Sequence, residues 1–231
     1  MKTGVRLSGL CKSFGTGSAM VHALRSVSVS LPHGRMVVVA GPSGSGKSTF
    51  LGILGGLERP DSGCVEVAGR EIGCLSEKEL SRYRRGMVGF VFQDSSLFNE
   101  LTVGENIELP LFLNHMDAKD RSRRVHSLLT RLGLADRIRA MPLELSAGER
   151  QRVALARAVA HHPALVLADE PTANLDSANA QEVVKLLKEI HQEEEADVLL
   201  ASHDPRIIEM VEARIFLRDG AIENIEGLSA A

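Results

Sequence analysis

Short stretches of continuous apolar residues set the frame of this chain. Residues 36–40 (Met-Val-Val-Val-Ala), 164–168 (Ala-Leu-Val-Leu-Ala) and 198–201 (Val-Leu-Leu-Ala) carry no polar side chain. Each is too short for a buried helix, so each predicts a strand covered on both faces. Residues 87–92 predict a fourth, ended by Gln93. Near the N-terminus, residues 5–10 and 24–31 also predict strands, the second alternating through Val27, Val29 and Leu31. Gly15 to Ser18 separate these two. A turn over residues 58–63 leads to a strand at 64–67, with another turn at Gly69.

Helical patterns fill the intervals. Residues 49–54 predict the opening turns of a packed helix. Ser76 and Glu79 form a capping-box pair for a helix reaching residue 85. From Asp94 to about Met141 the pattern is helical, over 103–114 and 117–132 with Gly133 as a stop. Arg121, Arg123 and Arg124 are expected on a solvated face. Ser146 is a natural N-cap for a helix over 149–161, which His161-His162-Pro163 ends. A long helix over 177–195 finishes in an acidic run, expected to be solvated. Residues 214–218 and 221–223 flank Asp219-Gly220 as a closing hairpin, and the last residues are expected to fray.

Composition narrows the function. The 231 residues suit one domain, or one with a subdomain. A net charge of -3 and a single Tyr without any Trp give no footprint for nucleic acid. No apolar run approaches the ~18 residues of a membrane span, and no secretory leader opens the chain, so it is expected in the cytosol. Cys11, Cys64 and Cys74 lack metal-site spacing and are expected to be reduced.

The chemistry lies at the ends of the apolar strands. Gly41, Pro42, Ser43, Gly44, Ser45, Gly46, Lys47 and Ser48 fit G-x-x-x-x-G-K-[ST] between a strand and a helix that opens at Thr49. Glycines let backbone N–H groups turn inward as an anion nest, and the helix start adds unpaired donors. Lys47 supplies a cation for β/γ phosphates, and Ser48 a hydroxyl for Mg²⁺. Asp169 and Glu170 end a second buried strand, where carboxylates need a nearby cation. His203 follows a third and Gln93 a fourth. In an open parallel sheet these ends converge on one ligand site. Asp169 then suits the metal, Glu170 the attacking water, Gln93 the metal or that water, and His203 the γ-phosphate. From position alone, Phe14 suits a half-buried edge residue better than a base-stacking platform.

Together these residues resemble the ATP-binding subunits of ABC transporters, over nearly the whole chain and in the family's motif order. The resemblance implies an α/β fold: a P-loop NTPase (RecA-like) core with a mostly parallel sheet, an N-terminal antiparallel β-subdomain and a helical insertion. It implies one nucleotide-binding domain over 1–231, with the helical subdomain at approximately 94–158 holding a groove that couples to a membrane partner. It favours Phe14 as an adenine-stacking aromatic. It makes Gln93 the glutamine loop, residues 145–149 the signature, Glu170 the catalytic carboxylate, Asp176 the D-loop aspartate and His203 the switch histidine. Ala147 departs from the family's usual glycine, while Ser146 and Gly148 are retained. ATP and Mg²⁺ are the implied cofactors. A head-to-tail dimer is implied, each ATP lying between one copy's phosphate loop and the other's Ser146 helix tip.

Residues 54–57, 99–111, 148–152 and 168–176 look like the lipoprotein-releasing and macrolide-exporter ATPases, which work by mechanotransmission. The cell-division and amino-acid-importer ATPases share most of these motifs. The expected setting is the cytoplasmic face of the inner membrane, held peripherally by an integral permease. Two other classes fit less well. ABC proteins acting on DNA or ribosomes carry long coiled coils or a second domain, and neither pattern occurs here. A regulator without turnover would not need Glu170 and His203.

Overall fold

The computed structural model describes residues 3–194 and 196–228. The expected last residue of the long helix, Glu195, and the C-terminal tip beyond residue 228 lie outside the described residues. The continuous apolar runs form the centre of a six-stranded sheet. Its members are β3 (Met36–Ala40), β6 (Val88–Val91), β7 (Leu165–Asp169), β8 (Asp197–Ser202), β9 (Ala213–Arg218) and β10 (Ala221–Glu226). The order is β10-β9-β3-β8-β7-β6, parallel except for the closing β9–β10 hairpin.

A second, antiparallel sheet holds β1 (Thr3–Phe14), β2 (Val21–Pro32), β4 (Ser62–Val67) and the two-residue β5 (Arg70–Glu71), in the order β2-β1-β4-β5. The arrangement is the expected α/β fold with an antiparallel β-subdomain. Period-two alternation divides the parallel strands between two cores. Val37, Val39, Leu165, Leu167, Leu199 and Ala201 pack with the antiparallel sheet and α1 (Lys47–Leu54). Val38, Val166, Ala168, Val198 and Leu200 face the helices on the other side.

Those helices are α3 (Val103–Leu113), α4 (Ala118–Arg131), α5 (Ala147–Val159), α6 (Ser177–Glu194) and the short α7 (Pro205–Glu209), while α2 (Glu77–Met87) precedes β6. The capping box at Ser76 and Glu79 forms as expected, and Ser146 with Glu149 and Thr102 with Glu105 repeat it. Four expectations need correction. Met87 ends α2 rather than starting a strand, and α5 starts two residues earlier than expected. Of the three α4 arginines only Arg123 is solvated: Arg121 pairs with Glu108 at 2.7 Å and Arg124 with Glu194 at 2.8 Å. Glu194 is therefore a largely buried partner rather than part of a solvated acidic end.

Candidate functional site

The phosphate-type loop is wedged between both sheets. A Cβ on Gly41 would stand 2.2 Å from the Leu217 carbonyl oxygen, and one on Gly46 would stand 2.3 Å from that of Ala23. Gly46 also has φ +103, in the left-handed region that favours glycine. The Gly220 N–H donates to the Ser45 carbonyl at 3.2 Å, so the β9–β10 turn braces the loop. Pro42, Ser43, Gly44 and Ser48 remain exposed along its rim, with Thr49 half-buried in the first turn of α1.

Parallel registration brings the other ends to this loop. Ala40 pairs with Ser202, and Ala201 with Asp169, so the segments after β3, β8 and β7 leave the sheet side by side. Lys47 is buried; its Nζ donates to the carbonyls of Gly41 and Pro42 at 2.9 and 3.0 Å and lies 3.5 Å from Glu170 Oε1. The same Glu170 oxygen lies 2.8 Å from His203 Nδ1. Glu170 sits at φ +46, a strained value for a non-glycine residue, with its N–H held by the Ala201 carbonyl at 3.1 Å.

Asp169 is in a different state. Its Oδ1 is buried and meets no donor. Burial pushes its carboxyl above the ordinary range, the Glu170 charge adding to this and the Ser48 hydroxyl and Lys47 opposing it. An orphaned carboxylate oxygen beside a hydroxyl fits a hard cation, which takes oxygen ligands. Ser48 and Asp169 offer oxygen donors suited to Mg²⁺, while Gln93 forms no hydrogen bond with either among the described residues. No cluster of three or more His, Cys, Asp or Glu that could hold a metal ion is found among the described residues.

Among the described residues, the remaining candidates form no hydrogen bond or ion pair with this centre. Gln93 is exposed just after β6, and its carbonyl accepts from Asn174 Nδ2 at 3.3 Å. Asp176 accepts from the N–H and side-chain amide of Asn179 at 2.9 and 2.7 Å; these bonds hold its carboxyl below the usual range. Ser146 is exposed at the tip of α5, and a Cβ on Gly148 would meet Asn179 Oδ1 at 2.8 Å. No hydrogen bond or ion pair joins Ser146 or Gly148 to the phosphate loop among the described residues. Phe14 is 42% exposed at the end of β1, with Lys12 Nζ 5.0 Å from its ring centre.

Sequence reading missed several supports. Gln151 Nε2 donates to the Phe92 carbonyl at 3.0 Å, Arg206 Nη1 to Ser177 Oγ, and Arg157 to the carbonyls of Ser95 and Ser96. For Gln151 and Arg157 the only signal was a polar residue among apolar neighbours on α5; exposed Arg206 carried none.

A profile of the family described as "ABC transporter" matches residues 24–173. The chain belongs to the ABC transporter ATP-binding family. An uncharacterised ABC transporter ATP-binding protein from Thermotoga maritima is 41% identical over 98% of this chain and 96% of its own length. The lipoprotein-releasing system ATP-binding protein LolD of Legionella pneumophila is 40% identical, over 92% of this chain and 94% of its own. The macrolide export ATP-binding/permease protein MacB of Bartonella quintana is 41% identical over 94% of this chain, which spans only 33% of that protein. Among solved structures, a dimeric post-hydrolysis state of the ATP-binding cassette MJ0796 bound to ADP and Pi superposes with a TM-score of 0.90. It shares 37% identity, over 98% of this chain and all of that one. The ABC family assignment accounts for the motif order, and this ABC cassette is an ATPase.

Proposed function

We propose that this ABC ATPase binds and hydrolyses ATP to power lipoprotein release, or a related export or mechanotransmission process, through a separate transmembrane partner. The observation that carries this reading is the convergence of Lys47, Asp169, Glu170 and His203 beyond the ends of three neighbouring parallel strands. The loop N–H groups and Lys47 bind the phosphates; Phe14 takes the adenine. Glu170, oriented by His203, accepts a proton from the attacking water. Mg²⁺ held by Ser48, Gln93 and Asp169 would supply charge neutralisation on the phosphate oxygens.

The exposed tip of α5 supports a head-to-tail pairing of two copies. Ser146 is exposed and forms no hydrogen bond with its own phosphate loop among the described residues, so it can complete the partner's site with the buried Gly148 behind it, and a helix N-terminus favours an anion. Asp176 sits beside this tip through Asn179. Dimeric MJ0796 offers a similar chain that pairs.

No described helix is long and apolar enough to cross a membrane; in the proposed reading an integral permease completes the transporter. A groove of about 730 Å³, floored by Phe90, Phe92, Phe98 and Leu109 and edged by Arg84 and Arg157, suits that partner. On this reading the protein works at the cytoplasmic face of the inner membrane, held there by its permease. LolD similarity along almost its whole length favours lipoprotein release; MacB similarity keeps macrolide-type efflux as the second reading. Pulldown of a tagged copy from detergent-solubilised membranes tests the proposal. An integral membrane protein is expected in the eluate; ribosomes with no membrane protein would defeat it.

A further inference from the structure

Two consecutive serines just after Gln93 occupy the left-handed backbone region: Ser95 at φ +64 and Ser96 at φ +45. Neither is glycine, so the conformation persists only if its surroundings impose it. One side chain spans both. Arg157, on α5, donates from Nη2 to the Ser95 carbonyl at 2.9 Å and from Nη1 to the Ser96 carbonyl at 2.6 Å. A planar guanidinium makes both bonds in one fixed geometry, which a lysine ammonium does not reproduce. No carboxylate forms an ion pair with Arg157 among the described residues; the loop carbonyls are its partners. On the other side of the loop, Gln151 holds the Phe92 carbonyl and Asn174 that of Gln93. Arg157 also lies 6.0 Å from the centre of the half-exposed Phe98 ring, on the groove already described.

We infer that Arg157 is a positioning residue for ATP hydrolysis: its fork pins the Ser95–Ser96 turn and so fixes where Gln93 presents its amide to the nucleotide site. The inference rests on the role given to Gln93 above.

A double-mutant cycle on Mg·ATP turnover tests it, together with amide hydrogen exchange of the nucleotide-free protein. Arg157→Lys is expected to lower kcat about 3–10-fold, and to speed exchange over residues 92–98 while leaving the α1 and β7 peptides unchanged. In a Gln93→Ala background Arg157→Lys should produce no further loss, because its effect runs through Gln93. Multiplying losses, or wild-type kcat in folded Arg157→Lys, would overturn the inference. Wild-type kcat in Gln93→Ala alone would instead remove the role of Gln93. Should Arg157→Lys fail to fold, Ser96→Pro displaces the same turn from an exposed position while leaving the sequence of α5 unchanged. It should lose turnover in the same Gln93-dependent way, and independence from Gln93 would again overturn the inference.

Discussion

Asp169 closes β7 with a carboxylate oxygen that no donor satisfies. Folding therefore disfavours its charged form, and its raised pKa makes stability fall as pH rises through that value. Asp169→Asn should thus raise the Tm of the nucleotide-free protein by about 2–4 °C at neutral pH, the shift expected for about 1 kcal/mol in a chain of this size. The gain should shrink on acidification, as the wild-type carboxyl protonates; scanning calorimetry across pH checks both. The same variant should lose Mg²⁺-dependent turnover. Lys47→Ala removes the one buried cation of the loop and should weaken ATP binding about 10–100-fold, the worth of a charge-assisted hydrogen bond, by equilibrium titration. Gly46→Ala should cost about 1–3 kcal/mol in denaturant unfolding, because its Cβ meets the Ala23 carbonyl and its φ is left-handed.

At the scale of elements, the α4–α6 tether is the feature that periodicity misjudged. Burial raises the Glu194 carboxyl, but hydrogen bonds and charge from Arg124 and His162 outweigh it and hold it below the usual range. Its stabilisation is present above the unfolded carboxylate pKa and is lost as pH falls through the lowered one. Arg124→Gln strips the principal partner from a mostly buried carboxylate. It should cost about 3–5 kcal/mol at neutral pH and less in acid, where Glu194 is neutral; urea unfolding at the two pH values checks this. Helix spacing put Arg121, Arg123 and Arg124 on one polar face. Whether that face meets water depends on Glu108 and Glu194, which lie far away in sequence. Local signals were legible where the partner is local. Ser76 with Glu79 needs only three residues of context, and the apolar strands announce their burial in five. Arg157 illustrates the opposite case, since its acceptors are backbone carbonyls that leave no mark on the sequence.

For the whole molecule, the convergence of Lys47, Asp169, Glu170 and His203 was readable because each follows an apolar strand or the loop after one, and parallel strands deliver their ends to one edge. The antiparallel sheet's role in bracing Gly46 through Ala23 was not readable, because it depends on how two sheets pack. On the proposed reading a second copy completes the site: Ser146 at the tip of α5 is exposed, and no hydrogen bond joins it to the phosphate loop among the described residues. The account therefore turns on pairing driven by nucleotide. Its most direct test is the mass in solution of Glu170→Gln with and without Mg·ATP, measured by light scattering. The account predicts a monomer without nucleotide and a persistent dimer with it, since binding survives while turnover stalls. A monomer under both conditions would contradict it.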